Sequence, residues 1–234
     1  MLKKTFFLLV GLVLVNSWVW AERIFAPPVP DRAMVQVEVH GDECGLMPME
    51  ANLHSDDYYK IVARRGERFR LVIRNRSDRR LAMVISIDGL NIVSGKTSYH
   101  RPDESMYLLE PGQTGSFDGW RTSYTNVQRF YFTDQFDSYA ARTGQTGQLG
   151  WIKVAVFKER QPLIVSPKRY SDSSERAMLE SPQAGTGYGE SHYSPVTTAD
   201  FKPESFPVQM VRIKYDFAPV KYHQPGFADP PPDY

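Results

Sequence analysis

Apolar residues return at every second position in this chain, in runs so short that only strands fit them. Val35, Val37 and Val39 alternate with Gln36, Glu38 and His40. Phe69, Leu71 and Ile73 alternate with Arg68, Arg70 and Arg74. Leu81, Met83, Ile85 and Ile87 share a face opposite Ala82, Val84 and Ser86. Ile152, Val154 and Val156 alternate with Lys153 and Ala155, and Val211, Ile213 and Tyr215 with Arg212 and Lys214. Such alternation marks half-buried strands. Less regular runs at Tyr58–Ala63, Met106–Leu109, Gly115–Asp118 and Val127–Thr133 add to the count. No window of eleven or more residues carries an apolar stripe at helical spacing; one short helix is expected to start near Thr122 or Ser123, or near Ser173 to Leu179.

Turn signals divide these runs: Arg65-Gly66, Asn75 to Asp78, Asp88-Gly89, Pro111-Gly112 and Gly144 to Gly150. Asp88-Gly89, between an apolar run and Leu90, predicts a tight hairpin. Short strands at regular spacing without helices imply a mainly β protein: an antiparallel β-sandwich or a jelly-roll-like domain, with a long irregular C-terminal extension. We place that domain at residues 33–158. Residues 159–206 form a Pro-, Ser- and Gly-rich wrap punctuated by Pro162, Pro167, Pro182, Pro195 and Pro203. Because a long structureless loop is uncommon in a compact domain, residues 207–216 are read as a strand returning to it. Residues 217–234, with Pro219, Pro225 and Pro230 to Pro232, form a Pro-rich tail.

The first 21 residues carry an address. Lys3 and Lys4 precede an almost unbroken apolar run from Thr5 to Val15, and Val19-Trp20-Ala21 closes it with a small-x-small pattern. This is the layout of a secretory signal peptide cleaved after Ala21, too short in its apolar part to span a bilayer comfortably. Residues 22–32, with Pro27, Pro28 and Pro30, follow as an extended lead-in. The expected location is periplasmic or secreted, with no transmembrane segment after cleavage. Loss of Lys3 and Lys4 takes the formal charge from +1 to −1, which gives no global pull toward nucleic acid. The single cysteine, Cys44, excludes an internal disulfide, so the core must supply the stability.

Several blocks resemble an uncharacterised family of exported bacterial proteins: Arg65-Gly66-Glu67, Asn75-Arg76-Ser77, Asp88-Gly89-Leu90-Asn91, Pro111-Gly112-Gln113, Gly119-Trp120-Arg121, Ser138 to Gly144 and Gly185 to Glu190. The similarity spans about residue 60 to Asp216. The resemblance implies one domain and an envelope address. It implies no activity and no catalytic residue.

The densest chemical signal is basic. Arg64, Arg65, Arg68, Arg70, Arg74, Arg76, Arg79 and Arg80 stand against only Glu67 and Asp78. Strand geometry puts Arg68, Arg70 and Arg74 on one face. The guanidinium fork suits carboxylate and phosphate, so these three are the candidate partner-binding residues, for an envelope protein or an anionic glycan or lipid headgroup. The plainer reading is a solvated face that blocks edge pairing. Trp120 and Trp151 are the candidate glycan-stacking residues of an alternative reading, a carbohydrate-binding module; the plainer one fills the core with aromatics, Phe130 and Phe132 inward. Arg121 is expected to cover the Trp120 indole.

Other constellations fall short of a site. Gly185, Gly187 and Gly189 lack the strand, helix and closing Lys-Ser or Lys-Thr of a phosphate loop; they read as a chain reversal at positive φ or as close backbone packing. His40, Asp42, Glu43 and Cys44, and separately His54, Asp56 and Asp57, have no recognised metal-ligand spacing. Cys44 reads as an inert thiol before a reactive one. There is no Gly-x-Ser-x-Gly elbow, and sequence alone cannot unite Ser86, Ser94, Ser98 or Ser138 with His100 or His192. No catalytic, cofactor or metal residue is assigned. The leading reading is a non-enzymatic envelope accessory or interaction module, then the carbohydrate-binding module, then a hydrolase with a cryptic site.

Overall fold

The computed structural model describes residues 33–52, 58–160 and 184–218. The expected signal segment, the lead-in, the His54–Asp56–Asp57 set, the helix near Ser173 and most of the Pro-rich tail lie outside these residues. Among the described residues no helix is long and apolar enough to cross a membrane.

The alternating runs become two sheets packed face to face, a β-sandwich. The first sheet holds β1 (Val35–Gly41), β2 (Gly45–Leu46), β5 (Arg68–Asn75), β9 (Thr114–Phe117), β10 (Gly119–Arg121), β11 (Asn126–Asp134) and β13 (Ala184–Tyr193). The second holds β3 (Glu50–Asn52), β4 (Tyr58–Ala63), β6 (Leu81–Ile87), β7 (Leu90–Asn91), β8 (Tyr107–Leu109), β12 (Trp151–Lys158) and β14 (Gln209–Phe217). All pairings are antiparallel except β14 with β4. The returning strand therefore inserts in the body of the second sheet, between β4 and β12.

The inward phase of each strand builds one core. Val35, Val37, Val39, Phe69, Leu71 and Ile73 from one sheet meet Met83, Ile85, Ile152, Val154, Ile213 and Tyr215 from the other. Phe69 stacks on both Phe130 and Phe132, with centroids 5.3 and 4.1 Å away. Phe130 and Phe132 thus face inward as their alternation requires. Strand β6 is buried along its whole length because its outer side is covered too: Val84, Ala155 and Phe157 form a small second cluster with Met106. Asp88 and Gly89 adopt φ of 52° and 80°, and Ile87 pairs with Leu90, so the expected hairpin closes on a tight turn with positive φ at both central residues.

Three local expectations differ. The wrap is not irregular throughout, since residues 184–193 form β13, ten residues long, paired along β11. Its glycines are extended and lie under neighbours: a Cβ on Gly187 would sit 2.1 Å from the Tyr131 ring, and one on Gly185 2.5 Å from Ser138 Cβ. Close packing, not a positive-φ reversal, explains them. A short helix not expected from the sequence, α1 (Tyr139–Arg142), is capped by Ser138 Oγ, and Thr122 and Ser123 start no helix. Arg121 covers Tyr107 instead of Trp120, its guanidinium 5.6 Å from that ring.

Candidate functional site

The arginine face sits on the outer side of the first sheet, as the alternation places it, and it brings its own counter-ions. Arg68 Nε lies 2.6 Å from Glu190, and the guanidinium holds that carboxyl below the usual range. Arg70 approaches Asp42 at 3.5 Å, and Asp42 accepts two hydrogen bonds from Arg129 at 2.9 and 2.7 Å. Arg129 also reaches Asp118, which meets His192 Nε2 at 3.1 Å. The carboxylates come from loops and from β13, at long sequence separation. Arg74 has no ion-pair partner among the described residues; its register neighbours are Gln36 and Thr114.

The two candidate tryptophans part company. Trp120 is 2% exposed, with its Nε1 donating to the Gly187 carbonyl at 3.0 Å and its indole edge-on to Phe130. It is core and offers no face to a sugar. Trp151 is half-buried on the outer side of the second sheet, edge-to-face with Tyr58 at 5.2 Å. The same side carries Lys60 over the Tyr58 ring, Lys153 over the Trp151 ring, Arg212 and Lys214. Beside this cluster lies a cavity of about 410 Å³ lined by Ser98, Tyr99, His100, Gln148, Lys153 and Arg212 among others. Nothing in the sequence flags this grouping, because its members meet only through the registers of β12, β14 and β4.

One Ser–His contact does form. Ser86 Oγ and His100 Nε2 are 2.8 Å apart, and His100 holds φ at 57°. Ser86 is 1% exposed, so its hydroxyl is sealed from any substrate and the contact ties the covering loop to β6. That loop is shaped by Glu104, which accepts from Ser98 Oγ, Tyr99 N, Arg101 N and Asn91 Nδ2. Burial works to raise the Glu104 pKa, but these donors together outweigh it and hold the carboxyl below its ordinary value.

A larger groove, about 1290 Å³, runs beside β8. Met106, Tyr107, Leu108, Tyr124, Val196 and Phe201 give it an apolar and aromatic lining. Among the described residues β8 pairs with β6 alone, and its Leu109 carbonyl accepts from Asn75 Nδ2 at 3.1 Å. Arg121 donates to the Tyr107 hydroxyl at 2.9 Å and to the Ser194 carbonyl at 2.5 Å, joining the two walls.

The deepest polar group is Asp88. Its carboxylate accepts from Gly150 N at 2.8 Å, Thr186 N at 2.6 Å and the Tyr215 hydroxyl at 2.5 Å. Burial pushes its pKa up to about 7 against the pull of these donors. It joins the β6–β7 turn to β12, β13 and β14.

The first loop set does not gather. His40 turns to Glu38 at 2.9 Å, while Asp42 turns to Arg129. Cys44 is partly buried, and desolvation followed by the neighbouring Glu67 raises its thiol pKa. Among the described residues no three His, Cys, Asp or Glu side chains come together as metal ligands. Compared with protein-family models, with curated proteins and with solved structures, the chain matches none.

Proposed function

We propose that the protein is an exported, non-enzymatic interaction module of the bacterial envelope, and that it holds an extended segment of a partner protein along β8. The observation that carries this reading is the large groove lined by Met106 and by Tyr107 and Leu108 of a strand that no second described strand pairs with. An edge strand offers unpaired N–H and C=O groups that an incoming strand can use, while side-chain recesses choose the partner. Met106, Tyr107, Leu108 and Phe201 supply the recesses. The signal-like N-terminus and the resemblance to exported bacterial proteins support the address. The arginine face is the accessory contact, through Arg74 first, since Arg68 and Arg70 are engaged by Glu190 and Asp42.

The test is a comparative pull-down from an envelope fraction with the wild type, Leu108→Lys and Arg74→Glu. A companion lost with Leu108→Lys supports the groove; one lost only with Arg74→Glu moves the contact to the arginine face. A companion kept by both variants, or none at all, overturns the reading.

A second reading, a carbohydrate-binding module, is favoured by Trp151 alone. Its half-buried indole beside Tyr58 offers a sugar an apolar edge, whereas Trp120 has none to offer. Acrylamide should quench Trp151 and leave Trp120 dark to the quencher; equal protection of both would end this reading.

A further inference from the structure

We propose that the outer face of the second sheet is a binding surface for an acidic saccharide, with Arg212 and Lys153 gripping a sugar carboxylate and Trp151 supporting the ring. The proposal rests on the carbohydrate reading and adds the charge of the ligand. Its first support is the register. Lys153 stands directly opposite Arg212 on β12 and β14, and Lys214 directly opposite Lys60 on β14 and β4. Like charges in facing positions work against a sheet, yet this sheet sets two such pairs side by side. On β3, β4, β6, β12 and β14 the acidic side chains are Glu50, opposite Lys60, and Asp216, 3.8 Å from Lys214. Arg212 has no ion-pair partner among the described residues. Lys153 donates to Gln148 Oε1 at 3.3 Å, and an anion set between it and Arg212 would draw on both cations.

The second support is shape. Lys153 and Arg212 both line the cavity of about 410 Å³, together with the exposed Tyr99 and with Gln148, whose Oε1 accepts from Lys153. That volume is in the range of small-ligand sites. A guanidinium accepts a carboxylate through two parallel hydrogen bonds, and the polar lining suits sugar hydroxyls. The third support is the pair of rings. Trp151 and Tyr58 meet at 67° and are flanked by Lys153 and Lys60. A crossed pair of this kind offers an apolar edge beside the cations, enough for one pyranose. A single nucleic-acid strand instead calls for a row of stacking platforms and a basic groove.

The experiment titrates the purified protein with trigalacturonate, with neutral maltotriose and with oligothymidylate, by calorimetry and tryptophan fluorescence. Trigalacturonate should bind with salt-weakened affinity, and Arg212→Gln and Lys153→Gln should each weaken it at least about tenfold. An unchanged melting temperature separates lost binding from lost folding. Arg76→Gln, an exposed position just past β5 on the other sheet, should bind as the wild type does. Equal binding of both trisaccharides, unaffected by Arg212→Gln, overturns the charge inference and leaves the carbohydrate reading standing. No binding of either saccharide overturns both, and tighter binding of oligothymidylate than of trigalacturonate overturns the saccharide in favour of nucleic acid.

Discussion

Tyr215 donates its hydroxyl hydrogen to Asp88 at 2.5 Å, across 127 residues of sequence and with both side chains buried. With the bonds from Gly150 and Thr186, the contact ties the Asp88–Gly89 turn between β6 and β7 to β12, β13 and β14. Folded Asp88 has a pKa near 7 against an ordinary 3.8, burial being the cause. Between about pH 4 and 7 the unfolded chain therefore releases a proton that the folded chain keeps, so stability falls as pH rises and levels off above about 7, by at most about 4 kcal/mol. Denaturant titrations across this window should show the slope, and Asp88→Asn should flatten it. Tyr215→Phe removes a donor that favours the carboxylate. It should cost about 1–3 kcal/mol and carry the falling limb to higher pH.

Gly187→Ala should be destabilising by about 1–3 kcal/mol, since its Cβ would enter the Tyr131 ring. The penalty should shrink in a Tyr131→Ala background, where the ring is gone. A double-mutant cycle by urea denaturation checks this, and additive losses would show that the glycine serves the backbone alone.

Glu104 gives the opposite pH sign to Asp88. Its folded pKa lies below the ordinary 4.5, so its contribution is present above that value and is lost as pH falls through the folded pKa. Glu104→Ala strands the Tyr99 and Arg101 amides and should cost about 1–3 kcal/mol. Hydrogen exchange should quicken at those two amides first, before the strands of the core.

Cys44 should react slowly. Desolvation and Glu67 both favour the thiol over the thiolate, so alkylation by iodoacetamide at pH 8 should lag behind free cysteine. Glu67→Gln should speed it. A wild-type rate above that of free cysteine would contradict the assignment.

The strands were legible where one phase of a short run is apolar: β1, β5, β6, β12 and β14 all bury the residues their alternation selects. Strand β13 was not, because Gly185, Gly187 and Gly189 replace side chains with room for their neighbours, and periodicity has nothing to register. The arginines of β5 were visible, but not Glu190 and Asp42, which neutralise Arg68 and Arg70 from other parts of the chain, nor Arg129, which shares Asp42 with Arg70. Lys153 and Arg212 each occupy the polar phase of a strand. Their meeting depends on strand order, which alternation does not encode.

The parallel pairing of β14 with β4 also sets a timetable. A chain emerging from its N-terminus offers β4 and β12 long before the strand that belongs between them has been made. Until residue 217 is available, both edges stay open to any other strand that passes, and closing the sheet then requires contacts across some 150 residues. Collapse should be fast and completion slow, which makes a chaperone that masks strand edges more valuable to this protein than one that shields helices.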